Sequence, residues 1–266
     1  MDDGGIGRIG IIGGNGMLGR ALATALLRRG GVVPGDLWIS CRSGVADDVA
    51  QGVRITADNR ELVDACDTVI LCVPPQAARD LDIHADGRLV VSVMAGQTLA
   101  RIVDLSGTSR VIRAMTSPAA AEGLAFSPWC AHDTATRADR HRATAILRCC
   151  GTTAELPSED QLDIFTALTG PVPGFVAFFA ACVSEYAVSR GVDPKLADLA
   201  TRQLFLGAGH MLAKGGPSAA DHVAGMTAYA GTTAAGLKRL QASGIAAELA
   251  EGLDASVNAA RRLGGD

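Results

Sequence analysis

Lysine is nearly missing from this chain. Of 266 residues only Lys195, Lys214 and Lys238 are lysines, no segment concentrates arginine, and the net charge is −4. A basic face that tracks phosphates is therefore lacking, and no nucleic-acid partner is expected. The first residues, Met1-Asp2-Asp3-Gly4-Gly5, have neither the basic nor the apolar region of a secretion signal. The longest apolar run, Phe175 to Val183, falls well short of the roughly 20 residues that cross a bilayer. No membrane partner is expected, and the chain reads as soluble and cytoplasmic. The seven cysteines are odd in number and form no C-x-x-C pair, which argues against a disulfide framework. Cys66, Cys72 and Cys182 sit in apolar contexts and read as packing residues. The five histidines show no metal-ligand spacing, so no metal is expected; His132-Asp133 near His141 reads as a solvated loop and helix face.

What the chain has is apolar mass and glycine. Hydrophobic residues make up 48% of it, enough for a sizeable core in one large domain or two modest ones. Near the start, the apolar run Ile9 to Ile12 reads as a buried strand. It breaks into Gly13-Gly14-Asn15-Gly16-Met17-Leu18-Gly19, and an Ala/Leu-rich helical pattern follows to about Arg29. Gly14-x-Gly16-x-x-Gly19 has the dinucleotide-binding spacing between a strand and a helix. Gly14 is expected to permit the tight turn, Gly16 to let a pyrophosphate approach the backbone, and Gly19 to let helix and strand pack closely. Asn15, Met17 and Leu18 fall within the same cofactor loop.

A second strand is expected from Asp36 to about Ser40, with an exit loop through Ser43. That position usually selects the cofactor: an acidic residue there would accept hydrogen bonds from an adenosine ribose and favour NAD(H). Ser40, Arg42 and Ser43 stand there instead, and a guanidinium with hydroxyls suits a 2′-phosphate. NADP(H) is expected in preference to NAD(H). Further strands are expected at 52–55, 67–73, 89–96 and 110–115, alternating with helical stretches such as the one opened by Asp58-Asn59. Uniformly apolar strands joined by helices indicate a doubly wound parallel sheet. Beyond Glu155-Leu156-Pro157 strand signals nearly vanish. Ser158 or Asp160 can cap a helix, Gly170 to Gly174 break it, and long apolar helices follow to Leu263. The fold class is therefore α/β, with a Rossmann dinucleotide-binding domain over 1–156 and an all-helical domain over 157–266. Phe175, Phe178, Phe179 and Val183 share one helix and suggest a face buried in a homodimer or higher homo-oligomer formed through the C-terminal helices, a compact monomeric bundle being the alternative.

In order and spacing, these segments resemble the pyrroline-5-carboxylate reductase family over nearly the whole length. The resemblance rests on the glycine turn with Ala21-Leu22, on Ser40-x-Arg42 and on the strand ending Val73-Pro74-Pro75-Gln76. Further along it rests on Ser92-Val-Met-Ala95-Gly96, Arg113-x-Met115, Gln203 with Gly207-Ala208 and Met211-Leu212, and Gly231-Thr232-Thr233. It implies a Rossmann domain, a helical dimerisation domain, and reduction of a cyclic imine by NADPH, or less often NADH. Carried over by position, Ser40 and Arg42 would meet the adenosine end of the cofactor, with Asn59 nearby. Val73, Pro74 and Ala95 would line the nicotinamide-ribose side. Thr232 and Thr233 would meet substrate as the catalytic pair, with Glu159 a further substrate candidate.

The departures from the family pattern cluster around the substrate. Thr169-Gly170-Pro171-Val172-Pro173-Gly174 replaces a serine- and glycine-rich turn, Ala228-Tyr229-Ala230 replaces a Ser-Pro-Gly run, and Pro74 stands where the family has lysine. Losing polar groups should weaken a carboxylate site, whose oxygens need donors. Three readings follow: a pyrroline-5-carboxylate reductase making proline, a reductase of another cyclic imine, and a non-catalytic NADP-binding homologue. Thr232 and Thr233 have an alternative role as an N-cap for the helix they open. The β-hydroxyacid dehydrogenases share the two-domain plan but use a lysine early in the helical domain, and none occurs here before Lys195.

Overall fold

The structure, a computed structural model, describes residues 6–46, 49–81, 83–170, 174–229 and 231–264. The chain forms two compact units, residues 1–172 with 254–266, and residues 173–253.

The first unit is built on one sheet. Its elements run β1 (Ile9–Ile12), α1 (Met17–Arg29), β2 (Leu37–Ser40), β3 (Arg54–Thr56), α2 (Asn59–Ala65), β4 (Thr68–Leu71), β5 (Leu89–Ser92), α3 (Leu99–Ser106) and β6 (Val111–Ala114). They continue with β7 (Ala125–Ala131), α4 (Arg137–Arg148), β8 (Gly151–Glu155) and α5 (Asp160–Thr169). Strand order is β3-β2-β1-β4-β5-β6-β7-β8. The first six strands pair in parallel, as the alternation of strands and helices predicts. β7 then runs antiparallel to β6, with Ile112 opposite Ala131 and Ala114 opposite Trp129, and β8 runs parallel to β7.

Every residue of β1, β4, β5 and β6 is buried, because helices cover both faces. On one face Leu22, Ala25 and Leu26 of α1 pack with Ile9, Ile11, Ile39 and Ile70. On the other, Leu62 and Val63 of α2 and Ile102 of α3 pack with Ile12, Val69, Leu71 and Val90. Each fully buried leucine or isoleucine of this kind contributes about 1.5–3 kcal/mol. The helix ends follow the side chains present: Asp58 caps α2 by accepting from Arg60 N, and Thr98 caps α3 by accepting from Arg101 N. Thr136 and Asp139 form a reciprocal capping box on α4. Arg110 also bonds Asp139 at 2.5 Å, whose side chain is only 2% exposed. Burial opposes charge on Asp139, but the bonds from Arg110 and Thr136 outweigh it and hold the carboxyl below its ordinary range.

β7 and β8 are additions to the strands expected from sequence. They carry the sheet beyond β6, and α5 lies against them through Phe165, whose ring centroid is 5.5 Å from that of Phe126.

The second unit holds α6 (Gly174–Ser189), α7 (Pro194–Ala213), α8 (Ala219–Ala228), α9 (Thr232–Gln241) and the beginning of α10 (Ile245–Gly264). Asp193 caps α7 and Ser218 caps α8. Large apolar side chains stay exposed on these helices, among them Phe178 (64%), Leu199 (64%) and Leu206 (67%). Cys182, read from sequence as a packing residue, is exposed on α6; an apolar neighbourhood in sequence does not guarantee burial when a helix keeps an open apolar face. Within residues 160–189 an 18-residue count reaches a mean hydropathy of 1.6 and the length of a bilayer span, which the run Phe175 to Val183 alone does not. That count joins α5 to α6, and α5 is tied to the sheet unit by the ion pair of Asp163 with Arg113.

Candidate functional site

A cleft of about 990 Å³ follows the C-terminal ends of the six parallel strands. Ala57 and Asn59 come from after β3, Ser40 to Ser43 from β2, and Gly13 to Leu18, except Gly14, from β1. Cys72 to Pro75 come from after β4, Val93 to Ala95 from β5, and Met115, Thr116 and Pro118 from β6. Thr166 and Gly170 add a wall from α5 and the residue that ends it. Strand order reverses between β1 and β4, the switch point at which open α/β sheets bind ligands. At about 4.8 Å per strand, six strand ends offer a floor of roughly 24 Å, long enough for an extended dinucleotide.

The glycine turn is built differently in one respect from the sequence expectation. The residue that takes the left-handed conformation is Gly13, at φ 84°, rather than Gly14. Gly14 is required for space instead, since a Cβ there would meet Ile39 Cγ2 at 2.6 Å. Gly19 behaves as expected: a Cβ would meet Gly13 O and Gly14 Cα, each at 2.6 Å. Gly14 and Gly19 thus shape the turn from behind and do not line the cleft. Gly16 is the N-cap of α1, with no side chain over the helix end, so bare backbone faces the cleft at that point. This is the cradle a pyrophosphate requires, and the residues present fit a dinucleotide.

The other residues assigned to the cofactor from sequence, Asn15, Gly16, Met17, Leu18, Ser40, Arg42, Ser43, Asn59, Val73, Pro74 and Ala95, all line this one cleft. Their roles separate on inspection of hydrogen bonds. Ser40 is 1% exposed, and its hydroxyl donates to Asn59 Oδ1 at 2.7 Å. Ser43 donates to Val45 O at 2.8 Å and so braces its own loop. The Arg42 side chain is exposed, and among the described residues none is bonded to its guanidinium. Of the three, Arg42 is the one with donors left for a phosphate.

Sequence reasoning missed several wall residues, chiefly Cys41, Cys72, Met94, Met115, Thr116 and Thr166. Position after a strand end could have signalled all of these but Thr166, which comes from α5. Burial pushes the Cys72 thiol up to about 12, so it stands in the cleft as a neutral, weakly polar group.

Glu159 does not line the cleft. Its Oε1 accepts from Leu99 N at 2.8 Å and from Arg113 Nη1 at 2.7 Å, which holds the start of α3. Thr232 and Thr233 lie in the second unit as the first residues of α9, both exposed. The capping alternative for them is overturned: the N-cap is Gly231, and no side chain bonds the helix end. Tyr229 is 89% exposed beside them, whereas Pro171, Val172, Pro173 and Ala230 lie outside the described residues.

Residues 159–263 match the family model described as pyrroline-5-carboxylate reductase dimerisation. Residues 8–96 match that of NADP oxidoreductase, coenzyme F420-dependent. The chain is similar to the pyrroline-5-carboxylate reductase of Methanosarcina acetivorans, at 31% identity over 97% of this chain and 98% of that protein. It is 27% identical to that of Synechocystis sp. over the same shares of both chains. Among solved structures, it superposes on the Coxiella burnetii pyrroline-5-carboxylate reductase with a TM-score of 0.84 at 26% identity, covering 98% of this chain and 100% of that one. The NADP-bound Plasmodium falciparum pyrroline carboxylate reductase shares the fold, with a TM-score of 0.82 at 19% identity over 97% of this chain and 98% of that one. Matched end to end with the Methanosarcina acetivorans enzyme, with a dinucleotide cleft at its sheet and the family's dimerisation helices after it, the chain belongs to the pyrroline-5-carboxylate reductase family.

Proposed function

We propose that this chain reduces pyrroline-5-carboxylate to proline with NADPH, as a cytoplasmic homodimer held by the helical domain over 157–266. The observation that carries the reading is that one cleft gathers the cofactor residues expected from sequence, in a chain matching family members over their full length. Arg42 favours NADPH over NADH, because its donors stand beside the β2 end of the cleft and, among the described residues, no acidic side chain lines it. The exposed apolar side chains of α6 and α7 supply the dimer face.

When bound, NADPH supplies the hydride. The chain's own part is orientation and exclusion of water. The α1 end and glycine turn hold the pyrophosphate, and Ser40 fixes Asn59 beside the adenosine end. The apolar walls formed by Val73, Pro74, Ala95 and Met115 hold the reactive end away from solvent. A cyclic imine can arrive already protonated, so no strong acid is required of the protein. Thr232 and Thr233 are the residues we assign to the substrate, and their hydroxyls are free of capping duty.

The exposed Tyr229, in place of the family's proline, favours one second reading, a related reductase acting on a different cyclic imine. Both readings are tested by NADPH oxidation with purified protein and cyclic imines that carry or lack a carboxylate. Turnover of pyrroline-5-carboxylate is expected, with loss of kcat/KM in Thr232→Ala or Thr233→Ala by about 1.5–3 kcal/mol of transition-state stabilisation. Turnover only of imines without the carboxylate would overturn the first reading and leave the second. NADPH binding with no turnover of any imine would overturn both and leave a non-catalytic homologue.

A further inference from the structure

The positive end of α1 is left without the compensation helices normally receive. Gly16 provides no side-chain cap, the first turn contains no acidic residue, and the fourth residue of the helix is Arg20. Placing a cation there works against the helix dipole, whose positive end favours negative charge. Such an arrangement suits an anion that arrives from outside.

Arg20 is not aimed loosely at that end. Its Nε donates to Asn15 O at 3.0 Å and to Asn15 Oδ1 at 3.1 Å, and its Nη2 donates to the same Oδ1 at 2.6 Å. A guanidinium has donors and no acceptor, so the atom it grips must be the oxygen of the Asn15 amide. The amide NH2 is thereby turned away from Arg20. Asn15 lines the cleft between the two glycines of the turn, next to the bare backbone at Gly16.

We propose that Arg20 is a positioning residue for the dinucleotide pyrophosphate: it locks the Asn15 amide with its NH2 donors toward the bound phosphates and adds positive charge behind them. The proposal rests on the cofactor reading above. It predicts a contribution common to NADPH and NADH, because both carry the pyrophosphate. Arg42, by contrast, discriminates between them.

The test is fluorescence titration of full-length wild-type protein, Arg20→Ala, Asn15→Asp, Asn15→Ala and the Asn15→Ala/Arg20→Ala double variant with NADPH and with NADH. Arg20→Ala should raise both dissociation constants by the same factor, about tenfold or more for a lost charge-assisted arrangement. The loss should appear in the KM for either cofactor more than in kcat. Asn15→Asp still offers oxygens to Arg20 but no donor to a phosphate, so it should weaken both cofactors at an unchanged melting temperature. Its stability keeps the test open even where Arg20→Ala folds poorly. The double variant should be little worse than Arg20→Ala, because the Asn15 donors count only while Arg20 orients them. Tight wild-type binding with unchanged affinity in Arg20→Ala or Asn15→Asp would overturn this proposal alone. Multiplicative losses in the double variant would do the same. A wild type that binds neither cofactor would overturn the cofactor reading and this proposal with it.

Discussion

Replacing Gly19 by alanine puts the strand-turn-helix geometry under direct strain. The new Cβ would meet Gly13 O and Gly14 Cα at 2.6 Å and Gly14 C at 2.8 Å, close to an ångström inside ordinary contact. All three opposing atoms are backbone, so no side chain can swing away. Either α1 lifts from the turn or the turn opens. Overpacking of this kind costs about 1–3 kcal/mol, and alanine returns up to about 1 kcal/mol of helix propensity relative to glycine. The net expectation is a loss of about 1–2 kcal/mol, or roughly 2–8 °C in melting temperature for a chain of this size. The larger effect should be on binding, because the displaced atoms are those that shape the pyrophosphate cradle. Thermal melting and NADPH titration of Gly19→Ala measure both. A variant that melts at or above the wild-type temperature and binds NADPH with wild-type affinity would refute the packing argument.

Arg42→Ala should cost NADPH about 1.5–3 kcal/mol of binding and NADH almost nothing; parallel losses in the two titrations would remove Arg42 as the selector. The Asp139 carboxyl is held below its ordinary range in the folded chain, so its contribution is complete at neutral pH and is lost as pH falls through that lowered value. Asp139→Asn should therefore cost about 1–2 kcal/mol at neutral pH, discounted because Arg110 is partly exposed. It should also flatten the acid limb of the urea midpoint plotted against pH, and parallel acid limbs would count against the assignment. Phe178→Glu puts a charge on the exposed apolar face of α6 and should convert the dimer to monomer in sedimentation at micromolar concentration; a wild type that already sediments as a monomer would end the dimer reading.

The parts of the fold legible from sequence are those where one periodicity and one punctuation coincide. β1, its glycines and α1 show a buried apolar run, a break and an Ala/Leu pattern in succession. β4 and β5 read equally well because strands covered on both faces are uniformly apolar. β7 escaped because Pro128 sits inside Ala125–Ala131, and a proline argues against an interior strand. It is tolerated because the paired residues with β6 end at Trp129, and the Pro128 carbonyl still accepts from Met115 N at 2.9 Å. β8, Gly-Thr-Thr-Ala-Glu, is half exposed and lacks an apolar signature. At the site, the motif spacing located the cradle but misassigned which glycine bends. The spacing records that glycines are needed, while the φ angle and the neighbours of each Cβ depend on where Ile39 and Gly13 lie in space. Arg20 carried no signal at all, since its meaning resides in which atom of Asn15 it faces.

The antiparallel turn of the sheet after β6 has a consequence for what the cleft can admit. β7 ends at Ala131, opposite Ile112 near the beginning of β6. Its own exit loop therefore adds nothing to the rim, and the row of strand ends closes at Met115 to Pro118. The crevice is bounded at that side by the end of the last parallel strand, with Gly170 close beside Met115 and Thr166 in the same wall. A bulkier side chain at Thr116, one of the residues lining that last strand end, is expected to narrow the crevice there.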